Sequence, residues 1–276
     1  MKLAVAISGM DALPSAFVVW RGFEESIRKA SEYAYHGVEL ALKSAEDIDP
    51  IELDRWLNKY KIEVSCISTG QVFAALGLYF THPEKTMRNK SVEVFNGLIV
   101  LAKDFGGLVN VGRARGFVAE GQSKSDAERL FIETVDCICE KAYKHNVTIL
   151  IEPVNRYEIN FVNNVDEGAE LVSKLKNKNI GLMPDVFHMN IEDDQIGDSL
   201  LRNGSLVKYI HFADSNRLAP GRGHLNFDEI FDALHAIKFN GWGSVEIFPQ
   251  PDPDTAARQA AEYLLPMIEE YNRRIR

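Results

Sequence analysis

Short apolar runs alternate along the chain with longer stretches of helical period. The runs KLAVAI (2–7), GVELAL (37–42), IEVSCIS (62–68), GLVNVG (107–112), VTILIE (147–152), IGLMPD (180–185), VKYIHFAD (207–214) and GSVEIF (243–248) read as eight strands, several rich enough in β-branched residues to be buried on both faces. Between them FEESIRKASEYAYH, RNKSVEVFNGLIVLAKDF, DAERLFIETVDCICEKAYKH and FDEIFDALHAIK read as amphipathic helices, the last behind an Asn226 suited to an N-cap. No Ser/Gly linker, charge block or low-complexity segment interrupts the rhythm. Parallel strands need a crossover helix between them, so the pattern predicts an α/β fold, a single (β/α)8 barrel domain over residues 1–276 closed by a helix from about Asp254 onward. A doubly wound open sheet is the rival, but no Gly-x-Gly-x-x-Gly follows the first strand.

Composition narrows the partner. With 31 Lys and Arg against 40 Asp and Glu, a net charge of -9, and no basic block, the chain is not built to grip a polyanion, which leaves a small solute and no nucleic acid. The opening MKLAVAIS is too short for a secretory core and no later run reaches the length of a membrane span, so a soluble, cytoplasmic protein without a membrane partner is expected. Cys66, Cys137 and Cys139 are too few for a disulfide framework and are expected as reduced core residues.

In a barrel of this kind the pocket lies at the C-terminal ends of the strands, and those ends carry charge. The fifth strand ends at Glu152, the sixth at Asp185, the seventh carries His211 and the eighth Glu246. Three carboxylates and an imidazole converging there would repel one another if empty; together they form a hard donor set for a divalent ion, Mn2+ first, with Mg2+ or Co2+ also suitable. Any one of them alone reads equally well as a salt-bridge partner. Glu152 and Glu246 can act as base and acid on the two faces of an enediolate, which would make the reaction an epimerisation. Around them, His188 can bond a substrate oxygen or be structural; Arg217 can steady the enediolate or pair with Asp214; Glu158 can take hydroxyls or fix Arg156. Phe17, Trp20 and Phe73 can wall a sugar site or be plain core, and Arg113 and Arg115 can take a substrate carboxylate or be solvated loop residues.

The motifs EPVNRYE, PDVFHMN, HFADSNR followed by PGRGH, and VEIF resemble, in this order, those of the D-tagatose 3-epimerase group of xylose-isomerase-like barrels. The resemblance covers nearly the whole chain, and STGQ at 68–71 with FTHP at 80–83 is similar to the branch containing a 5-keto-L-gluconate epimerase. It implies one divalent metal on Glu152, Asp185, His211 and Glu246, proton transfer by the two glutamates, sugar contacts from Glu158, His188 and Arg217, a ketose or keto acid as substrate, and a homodimer or homotetramer. An aldose-ketose isomerase of the hydroxypyruvate isomerase kind could use the same groups on one face, and a sugar-binding barrel is the non-enzymatic rival. A trinuclear zinc endonuclease on this barrel is disfavoured, because Ser68, Thr69, Asn110 and Gly112 stand where further histidines would be required.

Overall fold

The computed structural model describes residues 1–275, and all eight apolar runs are strands in it. They are β1 (Lys2–Ser8), β2 (Gly37–Ala41), β3 (Glu63–Ser68), β4 (Leu108–Val111), β5 (Thr148–Ile151), β6 (Ile180–Leu182), β7 (Tyr209–Phe212) and β8 (Trp242–Val245). Strands β1 to β6 pair in sequence order, all parallel, and β8 joins β1 to β7 across the chain ends. The ring closes between β6 and β7 through bridges from Leu182 to Val207 and from Asp185 to His211, the latter with His211 N donating to Pro184 O at 2.9 Å. A two-residue strand, Trp20–Arg21, adds to the edge of β1 and was not foreseen.

The helices expected from the periodicity are present as Phe23–Glu32, Lys85–Ala102, Lys124–Lys144 and Phe227–Ala236, and Pro253–Ile275 closes the chain. Asn226 caps its helix by accepting a hydrogen bond from Glu229 N. No described helix is long and apolar enough to cross a membrane. Cys66 and Cys139 are buried as expected, but Cys137 is exposed: the two-residue spacing turns it to the outer side of its helix.

The alternation along each strand sorts side chains between two cores. Val38 and Leu40, Ile67, Val109 and Val111, Ile149 and Ile151, Ile210 and Phe212 belong to the large core between strands and helices. Their neighbours fall on the other face, where Cys66, Leu150, Met183 and Tyr209 form a separate small cluster that fills the barrel. Going toward the C-terminal mouth, that inner face changes from apolar to polar: Glu39, Asn110, Glu152, His211 and Glu246 are all on it. The pleat therefore puts the charge where the apolar strand pattern hid it.

Candidate metal centre

Glu152 follows β5 directly, Glu246 follows β8, His211 lies within β7, and Asp185 stands three residues beyond β6. Asp185 is the N-cap of the helix Val186–Glu192; its Oδ1 accepts from Phe187 N at 2.8 Å, which fixes the rotamer and leaves Oδ2 facing the mouth. One potential ligand atom from each of the four lies within 4.8 Å of all the others. His211 Nδ1 sits 3.0 Å from Glu152 Oε1, 3.6 Å from Glu246 Oε2 and 3.7 Å from Asp185 Oδ2.

Two further residues, to which the sequence reading assigned no role in this centre, complete it. Asn110 donates from Nδ2 to Glu152 Oε2 at 2.7 Å, and its Oδ1 accepts from Gly112 N at 3.0 Å, so the amide has only one workable orientation. Glu39, wholly buried in β2, takes the other side of His211, with Nε2 3.0 Å from its Oε2. A charged residue in the middle of the apolar run GVELAL was the signal that could have revealed it. Gly112 has its own reason: a Cβ there would lie 2.7 Å from Glu152 Oε2.

Arg217 is the basic residue that the strand ends themselves lack. Its guanidinium, wholly buried, donates to both Asp185 and Glu246 and lies between the rings of Phe17 and Phe187, 4.7 and 4.9 Å from their centroids. It does not pair with Asp214, whose carboxylate instead accepts from Ser215 N, Gly221 N and Leu225 N and shapes the loop. Three buried carboxylates and the partly buried Glu246 thus meet one guanidinium and one imidazole. With the carboxylates ionised, a protonated imidazole leaves two negative charges and a neutral, ligating one leaves three; a divalent cation would offset this excess, and the oxygen-rich donor set fits Mn2+, Mg2+ or Co2+.

The electrostatics follow from that crowding. Burial alone would lower the His211 pKa, but Glu39, Glu246 and Glu152 outweigh it and hold it well above the ordinary value. Burial pushes Glu246 up to about 8 despite His211 and Arg217, whereas for Glu152 the imidazole overcomes burial and the shift is downward. Asp185 is likewise lowered, by Arg217 and His188 against burial.

Glu152 and Glu246 face a pocket lined among others by Phe17, Gln71, Arg113, Glu158 and His188. His188 is lowered in pKa by burial. Asn155 Oδ1 accepts from Tyr157 N, so its Nδ2 is the end that donates to His188 Nδ1 at 2.8 Å; the ring proton is then on Nε2, which can donate into the pocket. Glu158 does not hold Arg156, which pairs with Glu192 at 2.7 Å. Trp20 belongs to the core, stacked on Tyr33 with Nε1 bonded to Asp254, and Phe73 packs on Tyr79 and Phe117, so of the three candidate wall aromatics only Phe17 lines the pocket.

The two loop arginines separate. Arg113 reaches the pocket rim, 3.9 Å from Glu158. Arg115 is neither solvated nor available to a substrate: wholly buried, it donates to the carbonyls of Gly112, Glu152, Phe161 and Val162 at 2.7 to 3.0 Å, and burial lowers its pKa to about 10. It ties the Glu152 backbone to a turn where Val162 has φ 59°, a costly conformation for a β-branched residue. Arg115→Met should leave these carbonyls unpaired and cost about 3–5 kcal/mol, lowering Tm by roughly 10 °C. Arg113→Met should stay within about 2 °C of the parent. Equal Tm values for the two variants in calorimetry would refute the distinction.

The family pattern described as xylose isomerase-like TIM barrel matches residues 27–267. The chain is 37% identical over 125 residues to a D-psicose 3-epimerase of Ruminiclostridium cellulolyticum, a match covering 45% of the chain and 42% of that enzyme. It is 30% identical over 168 residues to an L-ribulose 3-epimerase of Mesorhizobium japonicum, covering 60% and 56% respectively. The chain thus spans about half the length of these curated relatives. Among solved structures, a D-psicose 3-epimerase with D-tagatose from Clostridium cellulolyticum H10 superposes with a TM-score of 0.82 over 98% of this chain and 99% of that one, at 21% identity, a likeness of fold.

Proposed function

The chain belongs to the xylose isomerase-like TIM barrel family, and on that premise we propose that it is a metal-dependent isomerase of the ketose 3-epimerase type, inverting the carbon next to the ketone of a ketose or keto sugar acid. The observation that carries this reading is the placement of Glu152 and Glu246, from strands three apart around the ring, within one ligand cluster on a pocket floor. The named epimerases among its relatives support it.

A divalent ion on Glu152, Asp185, His211 and Glu246, Mn2+ by preference, would supply the positive charge that makes a proton beside a ketone removable. The chain's own residues do the rest. Glu152, clamped by Asn110, removes or returns the proton on one face of the planar enediolate, and Glu246 does so on the other. His188 Nε2 and the buried Arg217 Nε, which has no partner among the described residues, are donors for substrate oxygens. Glu158 is an acceptor for hydroxyls at the far side of the pocket. Arg113 at the rim is suited to a substrate carboxylate and favours the keto acid. Cytoplasmic residence agrees with three free cysteines, and a homodimer or homotetramer with the habit of the family the motifs resemble.

The deciding experiment follows a panel of ketoses and keto acids with the Mn2+-loaded protein by NMR in deuterated water. Deuterium entering at the carbon beside the ketone, with both epimers formed, is expected. An aldose product would instead mark an isomerase, and no exchange with any compound would reduce the protein to a binding barrel. In the same assay Glu152→Gln and Glu246→Gln should each lose a factor of ~10² to 10⁴ in turnover with unfolding unchanged, since an amide cannot act as base; near-normal rates in either would refute its role. Arg113→Met should lower kcat/KM for a keto acid by about one to two decades, the value of roughly 1.5–3 kcal/mol for a charge-assisted bond, and leave a neutral ketose nearly untouched. Equal losses on both substrates would count against carboxylate recognition.

A further inference from the structure

Beneath the metal centre, toward the barrel floor, lies a carboxylate that the proposed reaction does not use. Glu39 sits in the middle of β2 with no exposed surface, and among the described residues no lysine or arginine pairs with it. Its partners are two. His211 Nε2 lies 3.1 and 3.0 Å from its two oxygens, and Tyr209 donates its phenolic hydrogen to Oε2 at 2.9 Å. Behind Tyr209, 2.7 Å from its hydroxyl, stands Ser65 Oγ; the phenol hydrogen being given to Glu39, the one Ser65 hydrogen is shared between the phenol oxygen and Val38 O, which lies 3.1 Å away. Three strands thus contribute a short polar chain, Ser65 to Tyr209 to Glu39 to His211, to a barrel floor otherwise filled by Cys66, Leu150 and Met183.

An ionised carboxylate placed in such surroundings is costly unless it is fully bonded, so its position calls for a reason. The two nitrogens of His211 supply one. Nε2 faces Glu39 alone, while Nδ1 faces Glu152, Asp185 and Glu246. A neutral imidazole carries its proton on one nitrogen only, and an acceptor-only partner at Nε2 keeps it there.

We propose that Glu39, with Tyr209 behind it, is the positioning residue of the metal centre, holding His211 in the Nε2–H tautomer so that the Nδ1 lone pair points at the ion. This rests on the metal reading above and adds to it a residue outside the ligand set. A carboxylate bonded to the far side of a ligating imidazole also raises its basicity and adds negative charge beneath the site, and loss of such partners commonly weakens metal binding. Tyr209 and Ser65 keep the carboxylate from turning toward the floor.

The test reads metal binding directly, without turnover. Mn2+ is titrated calorimetrically into chelator-stripped parent protein and into Glu39→Gln, whose amide keeps the shape and loses the charge. The variant should bind about 10- to 100-fold more weakly. Binding within twofold of the parent would overturn the proposal while leaving the metal centre intact; a parent that takes up no Mn2+ would overturn the metal reading together with it. Since Glu39→Gln could fail to fold, the parent also carries a test of its own. In 15N-histidine-labelled protein saturated with diamagnetic Mg2+, the His211 resonances should show a protonated Nε2 and a bare Nδ1, and a proton on Nδ1 would refute the assignment.

Discussion

Like charge confined in one barrel mouth is the constraint on which the rest of this structure depends. Glu39, Glu152, Asp185 and Glu246 all reach toward a single imidazole, and at an effective dielectric near 20 two carboxylates about 4 Å apart repel by roughly 4 kcal/mol. No chain would hold them there without compensation. Arg217 removes one charge, a protonated His211 removes a second while no ion occupies Nδ1, and the negative charge left over favours a cation.

Much of the surrounding architecture keeps that arrangement in place. Asn110 locks one oxygen of Glu152 and Gly112 leaves room for it. Asp185 is immobilised as a helix cap, and its bridge to His211 is also a closing rung of the barrel, so the same two residues serve ring closure and the centre. Arg217 needs φ 62° at its own backbone to turn inward, a conformation sustained by Asp214 bonding three loop amides and by two aromatic rings around the guanidinium. Arg115 performs a similar service from the other side by holding the Glu152 carbonyl. The groups that face the pocket are therefore held by hydrogen bonds and backbone geometry, which suits the acid–base chemistry proposed for them.

How much of this could be read in advance depended on the range of the interaction. Strand and helix identity is set by local hydrophobic period, and the eight runs, the major crossover helices and the Asn226 cap were all legible. The charged tips of the fifth to eighth strands were legible too, because each broke an apolar pattern at a place where a barrel puts its pocket. Glu39 broke a pattern as well, but in mid-strand, where no local rule says whether a charge faces core, lumen or solvent. Arg113 and Arg115 sit two residues apart in one loop and looked equivalent; which of them reaches the pocket and which is spent on four carbonyls is a matter of a single turn's direction.

The sequence by itself determined the barrel, the position of its mouth and the chemistry of the four groups offered there, since these follow from period, crossover geometry and residue type. Only the tertiary structure decided that the four converge within 4.8 Å of one another, that Arg217 neutralises part of their charge, that His188 presents Nε2, and that a buried Glu39 stands behind His211. The hydrogen bonds of Arg217 to Asp185, Asn155 to His188 and Glu39 to His211 join residues 32 to 172 positions apart in the chain. Local pattern carries no information about such pairs, because their partners are chosen by the pleat, register and closure of the whole ring.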